Sequence, residues 1–179
     1  MKLKPIELRN SEPTQEQLDS IKRQEIYIIL DDILDTYNVG SVFRLADAVG
    51  AKKVYLCGRT ETPPNSRIKK ASINTWQWVP WEHFPTAKEA ILKLKSEVKD
   101  VQVVAVEQDT RSVPFEKFDY KLPIALVVGN ETDGCSKETL ESCDHIVELP
   151  MFGINTSLNV MVTLGIVLYK VVEKLSPIS

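Results

Sequence analysis

Ile26-Tyr-Ile-Ile-Leu30, Asp31-Asp-Ile-Leu-Asp-Thr-Tyr37, Asn38-Val-Gly-Ser-Val-Phe-Arg44-Leu-Ala-Asp-Ala-Val-Gly50 and, three residues on, Val54-Tyr-Leu-Cys57 make up the stretch that decides the fold class. The first and last runs are short, apolar and rich in β-formers, which predicts two buried strands. Asp31 to Tyr37 is polar and reads as a connection. Asn38 is placed to cap a helix whose inward face is Val39, Val42, Phe43, Ala46 and Val49, and Gly50 ends it. Strand, helix and strand within so short a span form a βαβ unit.

The same alternation continues outward. Upstream, residues 1–13 read as irregular, and Thr14-x-x-Gln17 resembles a capping box opening a short helix to about Arg23. Downstream, Gly58 to Asn65 is a loop carrying Pro63-Pro64, and Trp76, Trp78 and Trp81 around Pro80 suggest a short strand. Thr86 caps a helix with Ala87, Ala90, Ile91, Leu94 and Val98 inward. Val101 to Val106 is a strand, and Asp109 to Lys121 a polar loop with room for a helical turn. Ile124 to Val128 is the most apolar strand and is expected at the sheet centre. Ser136 to Ser142 reads as a short helix and Ile146 to Leu149 as a strand. The expected architecture is α/β, a mainly parallel sheet flanked by helices, in one domain over residues 1–179 with a short N-terminal extension, 1–25.

The last segment, Leu149 to Lys170, has two halves. Pro150 to Thr156 holds Pro, Gly and Asn and reads as a loop. From Ser157, a plausible N-cap, a helix to Leu175 is apolar almost all round, so it should be buried on more than one side. Asn159 puts a polar amide at the start of that helix. Two readings stay open for it: a cap and satisfied core amide, or part of a ligand-binding loop at a helix N-terminus.

Composition narrows the function. With 179 residues, 43% hydrophobic and 26% charged, the chain can bury a proper core as a soluble globular protein. No apolar run approaches the roughly 20 residues that span a bilayer, and Met1-Lys-Leu-Lys-Pro-Ile-Glu lacks the core of a signal peptide. Cys57, Cys135 and Cys143 form no Cys-x-x-Cys, which predicts a reducing, cytoplasmic setting without disulfides or a metal site. A net charge of −3 argues against a generic nucleic-acid coat. Lys52, Lys53, Arg59, Arg67, Lys69 and Lys70 nonetheless face only Glu61 between positions 52 and 70. Such a cluster is either a basic patch or a solvated face.

Ligands of parallel sheets sit at the carboxyl ends of the strands. Three such ends stand out: Asn38 to Arg44, Val128-Gly-Asn-Glu-Thr-Asp-Gly134, and Leu149 to Asn159. Gly129 and Gly134 have P-loop spacing, but Cys135-Ser136 follows where Lys is needed. No Gly-x-Gly-x-x-Gly follows the first strand, and no Gly-x-Ser-x-Gly elbow exists. Glycine-rich turns instead suit a ligand read by backbone hydrogen bonds.

The three segments resemble the three motifs of the SpoU (TrmH-type) RNA 2′-O-methyltransferases of the SPOUT superfamily. These are Asn-x-Gly-x-x-x-Arg, here Asn38 to Arg44; strand-Gly-x-Glu-x-x-Gly, here Ile124 to Gly134; and Pro-Met-x-Gly…Ser-Leu-Asn-Val, here Pro150 to Val160. The resemblance covers Tyr27 to Val172. It implies a C-terminal trefoil knot, S-adenosylmethionine as cofactor without a metal, an RNA substrate (tRNA or rRNA, with the lack of an added RNA-binding domain leaning toward tRNA) and a homodimer. By resemblance, Arg44 engages the ribose phosphate and acts in deprotonation, Asn38 and Glu131 hold the site together, and Ser157 and Asn159 lie at the methyl-transfer centre. The donor is expected against Val106, Gly129, Leu149, Met151, Ser157 and Leu158. Physically, Arg44 suits a phosphate clamp better than a base, because a guanidinium stays protonated in proteins. Met161, Thr163, Gly165, Lys170, Cys135 and Ala71 to Asn74 depart from the usual pattern. The rival reading is a non-catalytic RNA-binding module of the same fold.

Overall fold

The structure, a computed structural model, describes residues 3–10 and 12–175. In chain order its elements are α1 Pro5–Asn10, α2 Gln15–Asp19, β1 Gln24–Asp31, α3 Thr36–Ala48, β2 Ala51–Cys57, α4 Ser66–Ser72, β3 Trp81–Phe84, α5 Ala87–Glu97, β4 Gln102–Val106, β5 Val113–Pro114, β6 Ile124–Gly129, α6 Lys137–Ser142, β7 His145–Glu148 and α7 Val160–Leu175. The seven strands form one sheet in the order β3-β2-β1-β6-β4-β7-β5, and every named pair is parallel. The chain winds outward through β1, β2 and β3, crosses over, and then inserts β6 between β1 and β4. β6 is the central strand and is buried along its whole length, as its apolar run predicts.

Alternation along the strands splits the core in two. Ile26, Ile28, Leu30, Val54, Leu56, Leu126 and Val128 face α3 and α7, against Val42, Phe43, Leu164, Val167 and Leu168. Tyr27, Ile29, Tyr55, Cys57 and Val127 face α5, against Ala87, Ala90, Ile91 and Leu94. Each fully buried Val, Leu or Ile contributes about 1.5–3 kcal/mol, so both helix layers are fixed by their apolar stripes.

Several local expectations shift. The N-cap of α3 is Asp35, whose carboxylate accepts from Tyr37 N. Asn38 sits three residues further in and is buried, so its amide is free for another partner. α7 starts at Val160, with Asn159 and not Ser157 capping it: the Asn159 Oδ1 accepts from Met161 N at 2.9 Å. Trp76 lies in a 3₁₀ turn, Thr75–Gln77, and the strand begins only at Trp81. The 109–121 loop carries the two-residue strand β5. Residues 1–13 hold a helical turn, α1, although Met1, Lys2 and Ser11 lie outside the described residues. The capping box at Thr14 and Gln17 is present, and its helix ends at Asp19, before Arg23.

The outer face of α7 also departs from full burial. Leu164, Val167, Leu168 and Val171 are buried, whereas Val162, Ile166 and Tyr169 are 41%, 39% and 53% exposed. The helix therefore covers its own sheet on one side and presents an apolar stripe on the other. Among the described residues, no helix is long and apolar enough to cross a membrane.

Candidate active site

The carboxyl ends of β6, β4 and β7 lie side by side, and the loops leaving them enclose a cleft of about 580 Å³. The loop after β6 is held rigidly. Asn130 and Gly134 exchange two backbone hydrogen bonds, each 3.0 Å. The Asn130 Oδ1 accepts from Thr132 N at 2.8 Å and Asp133 N at 3.1 Å, while its Nδ2 donates to the Asp32 carbonyl at 2.8 Å. Gly129 allows the turn to fold onto the strand end, since a Cβ there would stand 2.1 Å from Cys135 N. Gly134 has φ +71°, and a Cβ would meet the Glu107 carboxylate at 2.4 Å.

This turn aims Glu131 at the start of α3. Its Oε1 accepts from Asp35 N at 3.0 Å and from Asn38 Nδ2 at 3.0 Å, and its Oε2 accepts from Leu34 N at 3.1 Å. The Asn38 Oδ1 accepts from Asn159 Nδ2 at 3.0 Å, and the Asn159 Oδ1 takes the Met161 N–H. Direction is fixed along this chain. An ionised carboxylate only accepts, so Asn38 must turn its NH₂ to Glu131; its oxygen then requires the NH₂ of Asn159. Burial acts to raise the Glu131 carboxyl, but the Asn38 amide and the backbone N–H groups of Leu34, Glu131 and Asp35 outweigh it, and the group titrates below its ordinary value. One carboxylate thus orients two amides on two helices far apart in sequence.

The third loop is organised by Asn155, whose Oδ1 accepts from Ser157 N at 3.0 Å and Ser157 Oγ at 3.2 Å. Gln108 Nε2 donates to the Thr156 carbonyl, tying this loop to the end of β4. Ser157 therefore stands exposed beside the cap of α7.

Val106, Gly129, Leu149, Met151, Ser157 and Leu158 all line the cleft, as do Glu131 and Asn159. Asn38 lies behind this wall, reaching it through hydrogen bonds. Arg44 is not brought in: it is exposed, six residues beyond Asn38 on α3, and among the described residues it enters no ion pair. Sequence reading missed Glu107, Gln108, Asn130, Asn155 and Glu148. The available signal was their place: Glu107-Gln108 directly follows the apolar run of β4, as Asn130 follows Gly129. Glu107 accepts from Gln108 N and Cys135 N, each 3.0 Å.

Among the described residues, the lining includes Glu107, Glu131 and Glu148 and no Lys, Arg or His. A phosphate-bearing ligand has no cation to meet there, whereas a cationic ligand meets favourable charge. Among the described residues no group of His, Cys, Asp or Glu could hold a metal ion. The thiols are unsuited to nucleophilic work: burial pushes Cys143 up to about 12 and Cys135 well above its ordinary value.

A parallel α/β sheet whose strand-end loops enclose a backbone-rich, carboxylate-bearing cleft has the architecture of a ligand-binding α/β domain. The chain belongs to the SpoU rRNA Methylase family, whose family model matches residues 25–169. It is 32% identical over 155 residues to a tRNA (guanosine(18)-2′-O)-methyltransferase of Aquifex aeolicus (strain VF5), covering 83% of this chain and 69% of that one. It is 31% identical over 161 residues to the 23S rRNA (guanosine-2′-O-)-methyltransferase RlmB of Ralstonia nicotianae, covering 90% and 64%. Among solved structures, an AdoMet-bound rRNA methyltransferase from Sinorhizobium meliloti superposes with a TM-score of 0.78 at 29% identity, covering 94% of this chain and 60% of that one. The chain spans 58–69% of the length of the curated relatives it matches at 31–32% identity.

Proposed function

We propose that the chain is an S-adenosylmethionine-dependent RNA ribose-2′-O-methyltransferase, a single catalytic domain that works in the cytoplasm as a homodimer and carries the knot implied by its family. The observation that carries this reading is the Glu131–Asn38–Asn159 relay on the rim of the glycine-lined cleft. The cleft suits the cofactor: its charged walls are carboxylates, its glycines bring backbone close, and its size matches a nucleoside-sized ligand. Val106, Gly129, Leu149, Met151, Ser157 and Leu158 would hold it, largely through backbone groups. When bound, the cofactor would supply an electrophilic methyl group to the ribose 2′-oxygen, its S–C bond breaking to leave S-adenosylhomocysteine while the hydroxyl proton passes to solvent.

The chain's own residues supply position and electrostatics. Glu131 fixes Asn38, Asn38 fixes the Asn159 amide, and Asn159 with Ser157 presents polar groups at the cleft mouth. Arg44 offers a planar, fixed cation to a phosphate beside the target ribose and lowers the cost of the developing alkoxide. Relatives are named for tRNA and for 23S rRNA, so both are substrates to test. The apolar stripe of Val162, Ile166 and Tyr169, continued by Phe152 at 95% and Ile154 at 103% exposure, supports a dimer on α7 and the loop before it. The reading is tested by incubating the protein with methyl-tritiated S-adenosylmethionine and unmodified tRNA or rRNA transcripts. Acid-precipitable counts in one RNA are expected; donor binding without counts in any RNA would support the non-catalytic alternative.

A further inference from the structure

The cluster Lys52, Lys53, Arg59, Arg67, Lys69 and Lys70 does not act as one patch. Lys52 pairs with Glu25, Lys53 with Glu82 and Arg59 with Asp32, so the first three are neutralised. Arg67, Lys69 and Lys70 are exposed on α4, and none enters an ion pair among the described residues. Helical spacing puts Arg67 and Lys70, at i and i+3, on one edge of α4, with Lys69 on the other. Ile68 and Ser72 are buried and fix which side of α4 faces outward.

α4 is locked against the helix that carries Asn38 and Arg44. At Gly40 the two helices cross so closely that a Cβ would stand 2.6 Å from the Ala71 Cβ and 2.8 Å from the Ile68 carbonyl. Arg44 lies four residues along α3 from that crossing, about 6 Å of helix rise. α4, with its free cations, thus packs against the helix that carries the unpaired Arg44, on a protein whose net charge is −3. Free cations on an otherwise acidic protein form a local field that attracts a polyanion.

Resting on the methyltransferase reading, we propose that the outward face of α4 is an RNA-backbone docking surface: Arg67, Lys69 and Lys70 hold phosphates flanking the target nucleotide and so lead the strand across Arg44. These contacts position the RNA without reading bases. Arg67→Gln/Lys69→Gln/Lys70→Gln is the test, because all three side chains are exposed and Gln is helix-compatible. The control is Lys88→Gln/Lys93→Gln/Lys99→Gln, which makes the same formal charge change on and beside α5, across the sheet. Donor binding is measured by calorimetry with S-adenosylhomocysteine and RNA affinity by fluorescence anisotropy over a salt series, apart from methyl transfer.

The α4 variant should keep donor affinity within two-fold and raise the RNA dissociation constant and KM by at least about 20-fold at about 50 mM salt. Three lost single-strand phosphate contacts flatten the slope of log affinity against log salt by about 2.1, so the wild type should lose about 18-fold more affinity than the variant between about 50 and 200 mM salt. The control should stay within three-fold of wild type. An α4 variant with wild-type RNA affinity and salt slope, or a control equally impaired, overturns the docking surface and leaves the methyltransferase reading intact. A wild type that neither binds nor methylates RNA overturns both.

Discussion

Replacing Glu131 by Gln tests the relay at its anchor. The substitution keeps the shape and removes the charge. Glu131 accepts two bonds at Oε1, from Asp35 N and Asn38 Nδ2, and one at Oε2, from Leu34 N. A Gln has one carbonyl oxygen. Oriented to keep Asp35 and Asn38, it sets its NH₂ against the Leu34 N–H; flipped, it loses both of the others. The cheaper orientation costs one charge-assisted bond, about 1.5–3 kcal/mol if fully buried. Glu131 is largely exposed, so water recovers part of this, leaving about 1–2 kcal/mol and a Tm drop of about 2–8 °C. The functional loss should be larger. A weaker anchor lets the Asn38 and Asn159 amides rotate, and misplacement on the scale of an ångström costs about 100-fold in rate. Turnover in a tritium-transfer assay should fall about 10- to 100-fold, with S-adenosylhomocysteine affinity by calorimetry within a few-fold. Wild-type turnover in a folded Glu131→Gln protein would refute the relay. Donor binding lost in parallel with turnover would instead make Glu131 part of the cofactor site.

Arg44→Ala should abolish methyl transfer while donor affinity by calorimetry stays within a few-fold, and Arg44→Lys should rescue little because the planar fork is lost; a nearly active Lys variant would show that charge alone suffices. On α7, Ile166→Glu should give a folded monomer by light scattering, since Ile166 is 39% exposed, whereas Val167→Glu, at 0%, should fail to fold; a dimeric Ile166→Glu protein speaks against an interface centred there. For pH, Glu131 titrates below its ordinary value in the folded chain. Its contribution is therefore complete above the ordinary carboxylate pKa of about 4.3 and is lost as pH falls through the folded value. The Tm gap between wild type and Glu131→Gln should be constant from about pH 6 to 8 and close below about pH 4; a gap that widens in acid would reverse the assignment.

The elements that sequence reading located are those whose apolar pattern has a single solution. β1, β2, β4 and β6 are each built on a continuous apolar run, and Thr86 caps α5 as expected, while the helix expected from Ser136 starts one residue later with Ser136 as its cap. Caps failed where two polar residues competed within a few positions. Asp35 outranks Asn38 at α3 because Glu131, 93 residues on, claims the Asn38 amide. Asn159 outranks Ser157 at α7 because Asn155 occupies the serine. The partner of Asn38 is long-range and leaves no local trace, whereas Asn155 lies only two residues before Ser157. The basic cluster shows the same limit: which cations are free depends on Glu25, Asp32 and Glu82, which only folding brings opposite Lys52, Arg59 and Lys53. The motif spacings brought the cleft residues to notice together, yet Glu107 and Asn155 needed the fold to be seen.

The most direct test of the account is the chemical position of the transferred methyl group. RNA labelled by the protein from methyl-tritiated S-adenosylmethionine is hydrolysed completely in alkali, which cleaves each linkage through its neighbouring 2′-hydroxyl. A methyl on the 2′-oxygen blocks that attack, so the account predicts tritium in alkali-resistant dinucleotides. Tritium in mononucleotides would place the methyl on a base, and would contradict an assignment in which Arg44 and the Glu131–Asn38–Asn159 relay act on a ribose hydroxyl.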